Sequence, residues 1–346
     1  MSVRPSSCQA LAITGPGRVA LVRVPLPELR ADQLLVQVSA CGICGSDLRP
    51  YRSGQSDLPF FGHEFSGTVV AAGAELQDFS VGDRVAAGLS RGCGRCQPCL
   101  RGLPHFCQQA QGQFQPGGFA DLCLVTCAGG FRPVAKIPAA LDHVTAALFE
   151  PVACAMRIAS RIPAVPGSRV LVIGLGMMGM LSGLLLRRAA PEVAVVGADN
   201  HAGRVALGRA LGLGTCVLLE PGGGGLADVP ADFDVVVDAT GIAAVFPMAL
   251  DLARLGGTVV LAGVPVDAVA LSPLPIFRKE LTVVGAKGPF PYPNGEGGSR
   301  ALDLLLTADI RWGDLVTVFP FHQAALAFQR AANGDSLKTI LHLGES

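Results

Sequence analysis

The chain has 346 residues, half of them hydrophobic, and its 27 lysines and arginines balance 27 aspartates and glutamates. A neutral chain without a basic run has no general attraction for nucleic acid or an anionic membrane, so neither is expected as a partner. The length suits about two domains of ~100–200 residues, and the eleven cysteines cluster instead of spreading, which argues against a secreted disulfide framework.

At the start of the chain no charged leader precedes a sustained apolar run, so no signal peptide is expected. Residues 1 to about 150 read as β-rich, with short alternating runs at 34–38, 66–70 and 84–87 between glycine, proline and aspartate. Val81-Gly82-Asp83-Arg84-Val85 reads as a turn entering a strand. This punctuation predicts a small barrel-like β domain. Pro163 and Pro166-Gly167 then mark a boundary.

Beyond it, apolar strands alternate with helices. Strands are predicted at 170–174, 193–199, 216–219, 233–238, 257–263 and 281–285, with helices at 178–190 and 203–211. Near-continuous Val, Ile and Leu strands are those buried on both faces of a parallel sheet, so the fold class is α/β, with a doubly wound domain here. Residues 170–186 are uncharged and nearly long enough to span a membrane. Gly174, Gly176, Gly179 and Gly183 divide them, and a strand–turn–helix accounts for them better. A Pro/Gly-rich stretch at 289–298, a helix at 300–308 and a helix–strand pair within 322–343 close the chain, and this tail is expected to pack on the N-terminal domain.

Cys93, Cys96, Cys99 and Cys107 form a C-x2-C-x2-C-x7-C ladder. Four thiolates at that spacing can wrap one tetrahedral Zn2+ in a single loop, a closed structural site. Cys44, His63 and a carboxylate make a different set, with three protein ligands and one open position, as catalytic zinc needs. Thiolate ligands imply a reducing compartment, so the cytoplasm is expected. Cys8, Cys41, Cys123, Cys127, Cys154 and Cys216 read as small buried hydrophobes. Cys41 and Cys44 also form a C-x2-C pair, but a redox pair should precede a helix in a βαβ unit, and this one lies in the β-rich region. His105, His143, His201, His322 and His342 match no ligand pattern.

Gly174-Leu175-Gly176-Met177-Met178-Gly179 is a G-x-G-x-x-G that follows a buried strand and opens a helix. Gly174 permits the tight turn, Gly176 lets the backbone approach a pyrophosphate, and Gly179 lets helix and strand pack closely. The free N–H groups at the helix start, around Met177 and Met178, face the phosphates. Asp199, ending the next strand, can accept hydrogen bonds from ribose hydroxyls and would repel a 2′-phosphate, which favours NAD over NADP. Arg204 lies close enough to suggest NADP, although a solvated helix-surface arginine fits equally well.

These segments in order resemble the zinc-dependent medium-chain alcohol dehydrogenase superfamily, and within it the sorbitol and threonine dehydrogenase branch. The resemblance runs through Cys41-Gly42-Ile43-Cys44-Gly45-Ser46-Asp47, Gly62-His63-Glu64-Phe65-Ser66-Gly67, the Val81–Val85 turn and the ladder. It continues through Gly117-Gly118-Phe119-Ala120-Asp121, Glu150-Pro151-Val152-Ala153, the dinucleotide motif and Lys279-Glu280-Leu281. It implies a GroES-like β-rich catalytic domain over residues 1–155 and 290–346 beside a Rossmann NAD-binding domain over 156–289, with the active site in the cleft between them. It also implies one catalytic and one structural zinc per chain, and a homodimer or homotetramer.

Carried over by motif, Cys44 and His63 are catalytic zinc ligands, with Glu64 and Glu150 both candidates for the acidic ligand. Asp47 would hydrogen-bond His63 and fix its tautomer. Ser46 resembles the family's hydroxyl relay. Many relatives carry histidine two residues after this aspartate; here Arg49 stands there and stays protonated. Proton exit would use water, or Arg49 would bind cofactor phosphate or substrate. The expected reaction is reversible oxidation of a secondary alcohol, such as a polyol, sugar, cyclitol or amino alcohol, to its ketone. Phe60, Phe119, Phe290 and Tyr292 are candidate pocket walls. The competing readings are an NADPH-dependent carbonyl reductase of the same fold, a zinc-free quinone reductase relative and a non-catalytic relative.

Overall fold

Short strands dominate the first part of the computed structural model, which describes residues 5–55, 62–88, 92–109, 113–127, 133–220, 225, 229–265, 267–288 and 296–344. The chain divides into two compact units, Met1–Ala153 with Pro289–Ser346, and Cys154–Gly288. Of the candidate pocket walls, Phe60, Phe290 and Tyr292 lie outside the described residues, as does most of the Pro/Gly-rich stretch.

The first unit opens with an antiparallel pair, β1 (Ser7–Gly15) and β2 (Arg18–Pro25). The long β3 (Gln33–Gly42) leads to helix α1 (Gly45–Ser53), then β4 (Glu64–Ala72) and β5 (Arg84–Ala87). After the cysteine loop, with its one-turn helix α2 (Gln97–Leu100), come β6 (Phe114–Gln115), β7 (Leu122–Thr126) and β8 (Val134–Lys136). Helices α3 (His143–Ala146) and α4 (Phe149–Ala159) follow. The strand β3 is the organiser: it pairs antiparallel with β4 along nearly its whole length and with β7 through Gln33–Gln37. Leu34, Val36, Val38, Phe65, Val69 and Phe119 fill the core it shares. Phe119, fully buried and edge-on to Phe328, is therefore a packing residue and not an exposed pocket wall.

Helix α1 interrupts a region that reads as β-rich, and it carries Gly45 and Pro50, both poor helix formers. Two local contacts hold it. The carboxylate of Asp47, at its third position, accepts the Cys44 N–H at 2.9 Å, satisfying a donor at the helix start. Gly54, at φ +70°, then takes the left-handed C-cap and donates its N–H to the Pro50 carbonyl.

The second unit alternates strands and helices: β9 (Arg169–Ile173), α5 (Met177–Ala189), β10 (Ala194–Asp199), α6 (Ala202–Ala210), β11 (Thr215–Leu218), β12 (Phe233–Asp238), α7 (Val245–Leu252), β13 (Ala253–Leu261), α8 (Leu274–Lys279) and β14 (Thr282–Gly285). All six strands are parallel, in the order β11-β10-β9-β12-β13-β14. The chain order reverses between β9 and β12, the switch point where such sheets take ligands at the strands' carboxyl ends. Residues 170–186 thus divide between β9, the glycine turn and α5. Among the described residues, no helix is long and apolar enough to cross a membrane.

The chain then returns to the first unit through α9 (Glu296–Thr307), β15 (Val316–Pro320), α10 (Ala324–Asn333) and β16 (Lys338–His342). Strand β16 pairs with the end of β3, Ile340 opposite Gly42. On its other side Gly42 stands opposite Glu64 of β4.

Candidate active site

That register gathers the chemistry. Cys44 directly precedes α1, and His63 and Glu64 lead into β4. One donor atom from each of Cys44, His63 and Glu64 lies within 4.8 Å of the others. Glu64 is 1 % exposed and His63 only partly so. Of the two candidate carboxylates, Glu64 completes the cluster. Glu150, buried in the first turn of α4, acts on it electrostatically.

The charge balance favours a cation. Burial opposes a charge on His63, but Asp47, Cys44 and Glu150 outweigh it and raise its pKa well above the ordinary value. Burial pushes the Asp47 carboxyl up, countered foremost by His63. The Asp47 and His63 side chains approach only to 3.8 Å, beyond hydrogen-bond distance. This corrects the expected hydrogen bond between them. The second carboxylate oxygen of Asp47 is spent on the Cys44 N–H, so Asp47 fixes the ligand loop and acts on His63 through charge alone. A thiol, an imidazole and a carboxylate, surrounded by further acids, suit Zn2+. Ser46 and Arg49 are exposed on α1.

Cys41 is fully buried, and burial raises its thiol pKa well above the ordinary value. Cys41 and Cys44 form no disulfide; all eleven cysteines are free. Four of the six leftover cysteines are buried as expected; Cys127 and Cys154 are half-buried. The ladder cysteines bring their sulfurs within 4.8 Å of one another. Their loop is shaped by α2, which contains Cys99, and by a 3-10 turn at Pro104–Phe106 ending at Cys107. The backbone N–H of Arg95, followed by that of Cys96, lowers the Cys93 thiol to about 6. That donor set fits a closed tetrahedral zinc. Among the described residues no other histidine, cysteine or acid joins a cluster of this kind.

In the second unit the three motif glycines differ in what they leave free. Gly174 has φ +90°, and a Cβ there would press on Thr240. Gly176 faces open space, and a Cβ on Gly179 would overlap the Gly174 carbonyl. The turn thus falls to Gly174 and the close packing to Gly179, while Gly176 leaves its face open. Met177 and Met178 begin α5, whose first N–H groups are free for phosphate. Asp199 is buried at the end of β10, accepting Leu175 N–H at 2.6 Å on one oxygen and His201 N–H at 2.8 Å on the other. Arg204 approaches it to 3.7 Å.

Residues 30–139 match the alcohol dehydrogenase GroES-like domain model, and residues 174–292 the zinc-binding dehydrogenase model. A D-arabinitol dehydrogenase of Uromyces fabae is 31% identical over 96% of this chain and 97% of its own length. The chain belongs to the zinc-dependent medium-chain alcohol dehydrogenase superfamily.

Within that superfamily, a D-altritol 5-dehydrogenase of Agrobacterium fabrum is 34% identical over 80% of this chain and 83% of its own length. A putative zinc-binding dehydrogenase of Sinorhizobium meliloti, solved with NADP bound, superposes with a TM-score of 0.83 at 30% identity, covering 98% of this chain and 100% of that one. Several superfamily motifs prove architectural here. Arg84 donates to the carbonyls of Leu141, Pro138 and Ala139 and to His143 Nε2. Lys279 donates to the carbonyls of Leu250, Asp251 and Ala253 at the end of α7, where a cation is stabilising.

Sequence reasoning missed three participants. Asp238 ends β12 beside the glycine turn, and its carboxylate accepts the Thr240 N–H and hydroxyl, setting Thr240 against Gly174. A buried acid closing the run of three valines at 235–237 was the available signal. Lys338 and Gly42 border Glu64, and no local spacing points to either.

Proposed function

We propose that this chain is an NAD-dependent dehydrogenase interconverting a secondary alcohol and its ketone at a zinc held by Cys44, His63 and a carboxylate. The meeting of a thiol, an imidazole and a carboxylate in one buried, acid-surrounded cluster carries the reading. The names of the arabinitol and altritol relatives support a polyol or related sugar, cyclitol or amino alcohol as substrate. When bound, zinc supplies Lewis acidity at the substrate oxygen and the nicotinamide supplies the hydride acceptor.

The protein's own residues do the rest. Cys44 and His63 hold the metal, and Glu64 or Glu150 gives the oxygen donor. Asp47 fixes the Cys44 loop. Ser46, in the first turn of α1, accepts the alcohol proton and passes it to water. Arg49 stays protonated and binds an anionic group instead of shuttling protons. The N–H groups at the start of α5 hold the pyrophosphate and Asp199 the ribose hydroxyls. Cys93, Cys96, Cys99 and Cys107 hold a second, structural zinc.

The eleven free thiols support the reducing cytoplasm as the place of work. The edge strand β14 and the exposed Leu255, Val264 and Phe277 of the second unit support a homodimer or homotetramer.

Zinc-loaded protein mixed with NAD+ or NADP+ and a panel of these alcohols tests the reading through the near-ultraviolet absorbance of reduced nicotinamide. NADH forming with one alcohol class supports it. Turnover with NADP+ alone moves the assignment to an NADPH-dependent carbonyl reductase, which Arg204 beside Asp199 favours. No turnover and no zinc at Cys44 would bring forward a non-catalytic protein.

A further inference from the structure

Lys338 forms an ion pair with Glu64 in which the two side chains are 4% and 2% exposed. Its ammonium also donates to the Ile43 carbonyl at 3.1 Å, one residue from Cys44. Burial alone would pull the lysine pKa down, but Glu64, then Cys44 and Glu150, hold it above its ordinary value. A buried cation beside a cation-binding cluster is costly, and removing one partner of such a pair leaves the other charge uncompensated.

The sheet is built around this pair. Gly42 lies between Glu64 on β4 and Ile340 on β16, and Lys338 sits on the same face of β16 as Ile340. Gly42 does not adopt positive φ, so its backbone conformation does not require glycine. Its requirement is space: a Cβ there would overlap Glu64 Oε2 and lie 3.1 Å from Lys338 Cε. The cradle fits one carboxylate and one ammonium with nothing to spare.

We propose that Lys338 is a positioning residue that competes with the metal for Glu64, keeping that carboxylate from closing the fourth coordination position, and that Gly42 supplies the space for this contest. The inference rests on Cys44 and His63 being a metal site with Glu150 as its oxygen donor, which leaves Glu64, the carboxylate nearest the pair, as the one that can take the fourth position. A buried carboxylate requires a counter-charge. With Lys338 present that charge is shared, and the metal keeps a position for substrate oxygen. Without Lys338 the metal becomes the sole counter-charge, and Glu64 binds it firmly.

The test uses the full chain with cobalt replacing zinc, without NAD or alcohol, read by visible absorption while imidazole is added to occupy the open position. The parent's spectrum is expected to shift as imidazole binds. Lys338→Met should need about 10- to 100-fold more imidazole, the size of effect that outer partners of metal ligands have, and should release metal to a chelator more slowly. Lys338→Arg, which keeps the charge, should restore affinity for imidazole. Gly42→Ala leaves Lys338 in place but crowds the pair, and should behave like Lys338→Met, giving a second arm if Lys338→Met folds poorly. A merely structural lysine predicts the reverse, faster metal loss in Lys338→Met with imidazole binding unchanged, and that result overturns the proposal. A parent that holds metal at the ladder alone would overturn both this inference and the proposed function. A parent with a responsive second metal, and variants that match it, would overturn the inference only.

Discussion

Cys93, Cys96, Cys99 and Cys107 come from one loop, with like donors that meet through a short helix and a 3-10 turn. Cys44, His63, Glu64 and Lys338 come from both ends of the chain, with unlike charges that meet only because β3 pairs with β4 and β16. The first plan makes a closed site that its own loop completes. The second places each donor under separate control of a strand register, so the balance around the metal can be adjusted one residue at a time. A structural metal needs the first plan, and a metal that must exchange ligands needs the second.

The sharpest way to break this division is Cys44→Ala. Lewis-acid stabilisation is worth several kcal/mol, so turnover should fall by about a thousandfold. The melting temperature should move far less, because the β3–β4 pairing and core remain. Cys96→Ser should do the opposite. Losing the ladder metal removes folding free energy, and a loss of a few kcal/mol should lower the melting temperature by about 5–10 °C. Turnover of the folded fraction should change little. Equal losses of activity in both variants, measured below their melting temperatures, would erase the distinction.

What could be read beforehand follows the same division. The ladder and the glycine turn were legible because every participating residue lies within one short segment. The central parallel strands were legible because burial on both faces leaves near-continuous apolar runs, as in Val170–Ile173 of β9, all at most 1% exposed. Helix α1 was hidden because its stabilising contacts, the Asp47 carboxylate on Cys44 N–H and the Gly54 cap, override the breakers Gly45 and Pro50. Lys338 was hidden more deeply: its hydrogen-bond partner Ile43 is 295 positions away, and only the β16–β3 register joins them.

The second unit offers a smaller test of local control. Asp199→Ala removes an acceptor that two backbone N–H groups already hold in place. Charge-assisted hydrogen bonds are worth about 1.5–3 kcal/mol, so the NAD+-over-NADP+ ratio of kcat/KM should fall by about 10- to 100-fold. An unchanged ratio would remove Asp199 from cofactor choice.

The smallest effect concerns pH. His143 Nδ1 lies 3.2 Å from the Ser66 hydroxyl, which itself donates to the His143 carbonyl, so Nδ1 carries the proton and Nε2 accepts from Arg84. Burial and then Arg84 lower the imidazole pKa to about 4. Between that value and about 6.5 the unfolded chain binds a proton that the folded chain does not. Stability contributed here is present above about pH 6.5 and is lost as pH falls toward 4. His143→Gln should flatten the acid side of the melting-temperature profile, and a profile with the parent's slope would show that His143 does not contribute to it.

Native mass spectrometry of the parent, Cys44→Ala and Cys96→Ser proteins, counting zinc on each folded chain, tests the account most directly. The two clusters predict two zinc ions on the parent and one on each variant. Only the ion absent from Cys44→Ala should be needed for NADH formation. A parent carrying one ion that Cys44→Ala retains, with NADH formation intact, would contradict the assignment of the buried cluster as the catalytic metal site.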